Sequence, residues 1–155
     1  MIDRNIPIDG VGMQQHLNIE YINNVAEWEK TLSSNIARLV KLGLVVHITE
    51  FDVKCAEPCS KNDLQLQANV YAAALRACLA NAPANKTTTT TAAGTTAIHV
   101  GAGCQSFESW GFTDKVSWLN GERCQPKAGP CHALPFDEKY QPKPAVASML
   151  QVLET

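Results

Sequence analysis

Apolar and polar residues follow two repeating patterns along this chain, and each pattern predicts one kind of element. Runs rich in β-branched and apolar residues predict strands, and apolar residues at helical spacing predict amphipathic helices. In chain order the predicted elements are a strand with its exit loop at 6–17, helix 25–43, strand 44–53, helix 60–81, strand 104–112 and helix 142–154. Regular alternation of strands and helices predicts an α/β fold in which crossover helices join parallel strands.

The ends of the predicted helices carry typical capping residues. Gly43 follows the first helix and suits a left-handed stop. Ser60 and Asp63 have capping-box spacing at the start of the second helix, and Pro144 lies in the first turn of the third. The residues expected to face the core are Leu32, Ile36, Leu39 and Val40, then Leu64, Ala68, Tyr71, Leu75 and Cys78, then Val146, Met149, Leu150 and Leu153.

A low-complexity segment at residues 82–103 interrupts this pattern. It is rich in Thr, Ala and Gly and separates the second helix from the third strand. Such a composition favours a mobile surface loop inserted into a single domain of residues 1–155.

Polar side chains gather where the predicted strands end. Gln14 and His16 follow the first strand. Glu50 and Asp52 end the second strand, and Trp110 ends the third. Because side chains alternate along a strand, the two acids point to one face, which is inward if the strand is buried. The carboxyl ends of parallel strands share one edge, so these three clusters predict a single site.

Glu50 is the candidate for chemistry at this edge. A carboxylate there can act as nucleophile, base, acid or metal ligand, and an ion pair at a strand end is the simpler alternative. His16 suits the orientation of a carboxylate or a core position with a backbone partner. Gln14 suits hydrogen bonding to hydroxyl groups, and His47 is interpreted as a supporting residue.

Aromatic residues favour a carbohydrate ligand. Trp110 and Trp118 offer flat apolar faces on which sugar rings stack, whereas Trp28 is expected to fill the core. The chain has no glycine-rich phosphate loop. Hydrolysis of a glycoside needs two carboxylates that flank the bond, about 5–5.5 Å apart for retention of configuration.

Charge and composition exclude several classes of partner. The formal net charge is -2 over 155 residues, and Lys and Arg are scattered, unlike the basic patch of a nucleic-acid-binding protein. No apolar run is long enough to span a membrane. There is no CxxC pair, and His132 beside Cys131 is no ligand set. The sequence therefore predicts no metal, no cofactor, no nucleic acid and no membrane partner.

The six cysteines favour disulfides and a secreted protein. No secretory leader follows Met1, and a missing upstream segment would resolve that conflict. The most local of the 15 possible pairings is Cys55–Cys59, Cys78–Cys104 and Cys124–Cys131.

Four motifs together resemble glycoside hydrolase family 10, the endo-β-1,4-xylanases. In order they are "IDGVGMQQH", "HITEFDV", "WGFTDKVSW" and "LPFDEKYQPKPA", and they cover nearly all of the chain outside the Thr-rich insertion. The resemblance implies an eight-stranded (β/α) barrel that cleaves xylan or xylo-oligosaccharides with retention. It also implies that the Cys78–Cys104 pair is similar to a disulfide of fungal members. The implied roles are nucleophile for Glu50, nucleophile orientation for His16, substrate binding for Gln14, Trp110 and Trp118, and support for Asp52.

The resemblance begins near the sixth strand of the barrel. A whole barrel needs about 250 residues, so the expected fold is a partial (β/α)8 barrel made of strands 6 to 8 with their helices. The motif "WDVVNE", which would carry the acid/base glutamate on the fourth strand, has no match here. We therefore expect a C-terminal portion of a xylanase domain with a missing N-terminal half or self-association. The alternatives are a non-catalytic carbohydrate-binding fragment and a retaining cellulase-type glycosidase.

Overall fold

The computed structural model describes most of the chain as one α/β unit. It describes residue 4 and residues 6–84, 86–90, 96–121, 123–124 and 129–155, and for 86–90 and 96–100 it describes the backbone. The strands are β1 Gly10–Met13, β2 His16–Asn18, β3 Val45–Lys54, β4 Lys86–Thr90, β5 Thr96–Val100 and β6 Gly103–Ser109. The helices are α1 Val25–Lys41, α2 Lys61–Leu79 and α3 Pro144–Leu153, and 3₁₀ turns lie at Ile19–Tyr21 and Asp114–Val116.

Strand β3 lies at the centre of a parallel sheet. Val45 is in register with Gly10 of β1 on one edge and with Gly103 of β6 on the other. Further along, His16 of β2 is in register with Asp52, so β1 and β2 follow one another beside β3. Helices α1 and α2 connect the strands, which confirms the predicted parallel sheet with crossover helices.

The first predicted strand divides into two short strands. Gln15 lies between β1 and β2 and has a φ of 62°, in the left-handed region that a non-glycine residue seldom adopts. This turn interrupts the pairing of the segment with β3. Beyond this point, the side chains of Gln14 and His16 no longer follow the alternation of side chains along β1.

The core lies between the sheet and helices α1 and α2. As predicted, Gly43 ends α1 with a φ of 82°, and Ser60 and Asp63 form a capping box at the start of α2. Each large apolar side chain that is fully buried stabilises the fold by about 1.5–3 kcal/mol. Those of this core are Ile36, Val46, Ile48, Phe51, Val53, Val70 and Tyr71.

The predicted core face of α3 is wrong at Leu150 and Leu153 and confirmed at Met149. Leu150 and Leu153 are 53% and 62% exposed, whereas Ala145 is buried and Met149 packs against the core. Apolar residues occur on nearly every side of α3, so their spacing does not single out one face. Packing against α2 selects the face instead.

The prediction of a loop at residues 82–103 is also wrong. Strands β4 and β5 form an antiparallel hairpin, with Lys86 in register with Val100 and Thr90 with Thr96. Threonine is β-branched and favours extended backbone, which outweighs the low complexity of the segment. The hairpin forms a sheet of its own. Residues 85 and 91–95 of the predicted insertion lie outside the described residues.

Three disulfides join the cysteines in the pairs that the sequence favours, Cys55–Cys59, Cys78–Cys104 and Cys124–Cys131. The second of these ties α2 to the start of β6 across the hairpin insertion. In the described part of the chain, no helix combines the length and apolar character needed to cross a bilayer.

Candidate active site

An extra residue in β3 determines which side chains reach the sheet face opposite the helices. Ile48 is in register with Phe107 of β6, and Phe51 is in register with Ser109. Three steps along β3 therefore oppose two steps along β6, which is the signature of a β-bulge. The edge formed by β1 and β2 shows the same offset of one residue.

This bulge turns two acids away from the core. Val46 and Ile48 are fully buried against the helices before the bulge, and Phe51 is fully buried after it. Strict alternation would have placed Glu50 and Asp52 on the same face as Ile48. The extra residue moves both carboxylates to the opposite face. The sequence predicts correctly that the acids share a face, but the bulge decides which face it is.

His16 joins the two carboxylates. Its Nε2 lies 3.0 Å from Oε2 of Glu50, and its Nδ1 lies 2.9 Å from Oδ2 of Asp52. Gln14 donates from Nε2 to Oε1 of Glu50 over 3.4 Å, so both oxygens of this carboxylate have a partner. The turn at Gln15 allows both neighbours to reach the same acid.

The two contacts of His16 place requirements on the hydrogens between the imidazole and the acids. Both hydrogen bonds of His16 form when the imidazole carries a proton on each nitrogen, or when one carboxyl group carries the second proton in its place. Removal of that proton would leave a nitrogen lone pair facing a carboxylate oxygen. The geometry therefore calls for one hydrogen between each His16 nitrogen and the carboxylate oxygen that it faces.

Asp52 is fully buried, and its surroundings oppose its ionisation. Trp118 donates from Nε1 to Oδ2 over 2.7 Å, and His16 bonds the same oxygen. Oδ1 has no hydrogen-bond partner among the described residues. Burial raises the pKa of Asp52 above its usual value, and the bonds from Trp118 and His16 lower it only in part.

Two indole rings stand beside His16 at the rim of the site. The ring of Trp118 is 4.9 Å from the imidazole and that of Trp110 is 6.4 Å from it, between ring centres. Trp110 is 47% exposed and Trp118 is 39% exposed. Arg123 lies 5.4 Å from the Trp118 ring and donates to the backbone oxygen of that residue over 3.0 Å. The site thus combines a positioned carboxylate with exposed aromatic faces.

Comparison with known proteins places this geometry in a family. The family model described as glycosyl hydrolase family 10 matches residues 1–152, which include every residue of the site. The chain belongs to glycosyl hydrolase family 10. Endo-1,4-beta-xylanase B of Neocallimastix patriciarum is 36% identical to this family 10 chain over 152 residues, which are 98% of this chain and 13% of that protein.

Solved structures show the same similarity. Native xylanase 10B from Thermotoga maritima is 33% identical with a TM-score of 0.72, and the match covers 99% of this chain and 39% of that one. Xylanase 10B from Thermotoga petrophila, solved in complex with xylobiose, is 32% identical with a TM-score of 0.72 and coverages of 99% and 38%. This family 10 chain therefore spans well under half the length of these relatives and matches part of their catalytic domain.

His47 lies apart from the acid cluster of this family 10 chain. It lines a groove of about 490 Å³ with Gly10, Gly12 and Thr49, beside the paired strands β1 and β3. Its side chain has no hydrogen bond to another described residue. A larger groove of about 710 Å³ lies among the helices and contains none of the predicted site residues. No group of three metal-binding side chains occurs in the described ranges.

A second polar cluster was missed by sequence reasoning. Asp114 is fully buried, and Lys143 is 7% exposed. Nζ of Lys143 lies 2.9 Å from Oδ2 of Asp114. Both residues fall within motifs that carry the family resemblance, "WGFTDKVSW" and "LPFDEKYQPKPA". Their position in these motifs is the one signal in the sequence that could have singled them out. Nothing in the sequence shows that they pair.

Proposed function

We propose that this chain supplies the nucleophile side of a retaining endo-1,4-β-xylanase site. Glu50 is the proposed nucleophile, and the observation that carries the proposal is its contact with His16. Nε2 of His16 holds Oε2 of Glu50 at 3.0 Å, and Nε2 of Gln14 lies 3.4 Å from the other oxygen, Oε1. A carboxylate held in this way at the open face of a strand can meet an anomeric carbon in a defined direction.

The proposed reaction has two steps. An oxygen of Glu50 forms a bond to the anomeric carbon while the bond from that carbon to the leaving oxygen breaks, and the leaving oxygen takes a proton from a second carboxyl group. Water then loses a proton to that second group and attacks the same carbon, which releases Glu50. Asp52 is unsuited to the second role because it is fully buried and bonded to His16 and Trp118.

We propose that the second carboxyl group belongs to protein outside this chain. The relatives extend over more than twice the length matched here. In this proposal the chain corresponds to the last three strand–helix units of the barrel, and its missing partner is either the N-terminal part of the domain or another protein chain. Full activity on xylan then depends on that partner.

The proposed substrates are xylan and xylo-oligosaccharides. A structural relative at 32% identity was solved with xylobiose. Trp110 and Trp118 expose aromatic surface next to Glu50 and His16, where a pyranose ring can stack. A cellulase-type substrate gains no support, since the relatives cited above are named as xylanases.

We also infer a secreted protein. Three disulfides in a chain of 155 residues are typical of proteins that fold in an oxidising compartment.

An activated substrate tests the nucleophile without its acid. Dinitrophenolate leaves without protonation, so a dinitrophenyl xylobioside fluorinated beside the anomeric carbon should form an ester with Glu50 that mass spectrometry detects. Glu50→Gln should abolish labelling. Glu108→Gln, which alters an exposed carboxylate on neighbouring β6, should leave it unchanged. Labelling of another residue, or none in the wild-type chain, would refute the proposed role of Glu50.

The competing function is carbohydrate binding without catalysis. The exposed indoles of Trp110 and Trp118 favour it, because they can bind sugar whether or not Glu50 reacts. Xylobiose binding that survives Glu50→Gln, in a chain that the activated xylobioside never labels, would support this alternative.

A further inference from the structure

The carboxylate of Asp114 has a protein partner at each oxygen, although it is fully buried. The backbone amide of Leu134 donates to Oδ1 over 2.8 Å. Lys143 donates from Nζ to Oδ2 over 2.9 Å. Asp114 opens the 3₁₀ turn that leads to Trp118, so this pair holds the beginning of the segment that carries the indole.

Lys143 binds a second group in the same place. Its Nζ donates to the backbone oxygen of His132 over 2.6 Å. Gln67 of α2 donates to that same oxygen over 2.5 Å and to the backbone oxygen of Val53 over 2.7 Å. Burial lowers the pKa of Lys143, and the negative charge of Asp114 opposes this shift. Lys143 and Gln67 thus meet at the backbone oxygen of His132, and together they link the 3₁₀ turn to the carboxyl end of β3 and to α2.

The position of Lys143 in the chain is unusual for a structural residue. It is the N-cap of α3, where Ser, Thr, Asp or Asn would satisfy free amides of the helix, and its side chain makes no capping bond. Replacement of a buried ion pair by apolar residues is often neutral or stabilising, so stability alone does not account for this one. A residue that departs from the usual N-cap preference, as Lys143 does, is expected at functional positions.

The far end of the same segment is also anchored. Asn120 donates from Nδ2 to the backbone oxygen of Asp114 over 2.6 Å, and its Oδ1 accepts the amide of Cys131 at 3.2 Å. Trp118 lies between these anchors, and its indole nitrogen reaches Asp52. Displacement of either anchor would move the indole relative to both Asp52 and the open face of the site.

We propose that Asp114 and Lys143 form a positioning pair for Trp118. The pair holds the indole against Asp52 and keeps its ring at the face where the sugar is proposed to bind. The role of the pair in sugar binding rests on the proposed function. Its role in the placement of the indole does not, because that placement involves residues of this chain alone.

Fluorescence of Trp118 tests the placement directly. In a Trp28→Phe, Trp110→Phe background, Trp118 is the remaining tryptophan of the three. Asp114→Asn with Lys143→Met removes both charges together and retains an oxygen for the amide of Leu134. We expect native far-ultraviolet circular dichroism, a shifted emission maximum and several-fold stronger quenching by acrylamide. Asn120→Ala, which keeps the ion pair and frees the other anchor, should increase quenching less.

Control variants distinguish a specific displacement of Trp118 from a general destabilisation of the fold. Arg76→Gln breaks another short ion pair, with 2.6 Å between Arg76 and Glu29 on the helical side, and should leave the Trp118 signal unchanged. Lys143→Arg, which keeps the charge, should recover part of the parent signal. An unchanged Trp118 signal in the double variant would overturn the proposal. A double variant that fails to fold would also overturn it, since the pair would then be required for the fold itself.

Xylobiose binding provides the second measurement, in the background with all tryptophans. We expect about tenfold weaker binding in the Asp114→Asn, Lys143→Met variant, the scale of one lost stacking contact. Wild-type affinity in a variant with a displaced Trp118 would refute the role in sugar binding. If the wild-type chain binds no xylobiose, the proposed function fails, and the fluorescence result still decides the positioning role.

Discussion

The indole nitrogen of Trp118 donates to the carboxylate of Asp52 over 2.7 Å, although the two residues are 66 positions apart in the sequence. This bond connects the segment after β6 to the end of the central strand. The same oxygen of Asp52 also bonds His16, which bonds Glu50 in turn. The geometry of the proposed nucleophile thus depends on a residue from a distant part of the chain.

Removal of the indole donor should change the titration of Asp52. In Trp118→Phe the carboxylate loses a bond that lowers its pKa, so the pKa should rise further. The loss of this donor leaves a buried carboxyl oxygen with one partner fewer, which should also reduce the free energy of unfolding by about 2 kcal/mol. Carboxyl-carbon NMR measures the titration, and urea denaturation measures stability. Trp110→Phe is the matched control, because Trp110 also faces His16 but donates no bond to Asp52.

A pKa of Asp52 in Trp118→Phe equal to that of the parent would contradict this account. It would mean that water or another donor replaces the hydrogen bond of the indole and lowers the pKa of Asp52 to the same extent. A parallel rise in Trp110→Phe would instead show that aromatic burial, and not the specific bond, governs the carboxyl group.

The raised pKa of Asp52 also predicts how stability depends on pH. The folded state holds the proton of Asp52 at pH values where the unfolded chain, with a pKa of about 3.9, has lost it. The free energy of unfolding should therefore contain a part that falls as pH rises from the unfolded pKa through the folded one. Asp52→Asn should lack this decrease when denaturation is followed from acid to neutral pH.

Asp63 offers a control of opposite sign. Hydrogen bonds from Ser60 lower the pKa of this partly exposed carboxyl, so its contribution to stability is present above the unfolded pKa and is lost as pH falls through the folded one. Asp63→Asn should remove the loss of stability at acid pH that Asp63 causes. The decrease in the free energy of unfolding that Asp52 causes at higher pH should remain. Identical pH profiles for wild type and Asp52→Asn would exclude the assigned shift.

Gly103 should tolerate no side chain where the hairpin insertion returns to the sheet. Its φ is 156°, and a Cβ would lie 2.5 Å from the backbone nitrogen of Pro83, which cannot move aside as a flexible side chain can. Gly103→Ala should lower the free energy of unfolding by about 2 kcal/mol or more in urea denaturation. Gly129→Ala, where a Cβ meets nothing within 4 Å, should have little effect. Equal losses in the two variants would argue against the clash.

The outer face of α3 should tolerate polar residues. Leu150→Gln and Leu153→Gln alter exposed side chains and should each change the free energy of unfolding by less than about 0.5 kcal/mol. Met149→Ala should lower it by about 2 kcal/mol, because Met149 packs against the core. Calorimetry or urea denaturation provides the comparison. A loss at Leu150 that matches the loss at Met149 would mean that the outer face is covered in solution.

Much of the fold followed from local patterns. The capping box of Ser60 and Asp63, the left-handed Gly43 and the alternation of elements all depend on residues close together in sequence, so the pattern alone predicted them. The wrong predictions arose where local signals were ambiguous. Leu150 and Leu153 lie on a helix that is apolar on nearly every side, and the threonines near residue 88 suit both a polar loop and a strand.

The sequence by itself determined the candidates, namely Glu50 and Asp52 at the end of a buried strand, Gln14 and His16 after another, and two tryptophans near a third. The tertiary structure decided how they act together. A bulge detected only through pairing with both neighbouring strands sends the acids to the open face. Trp118 and the buried Asp114–Lys143 pair reach the site through contacts between distant segments. Such contacts form only when the whole chain packs, because burial and hydrogen bonding across space leave no periodic signal along the sequence.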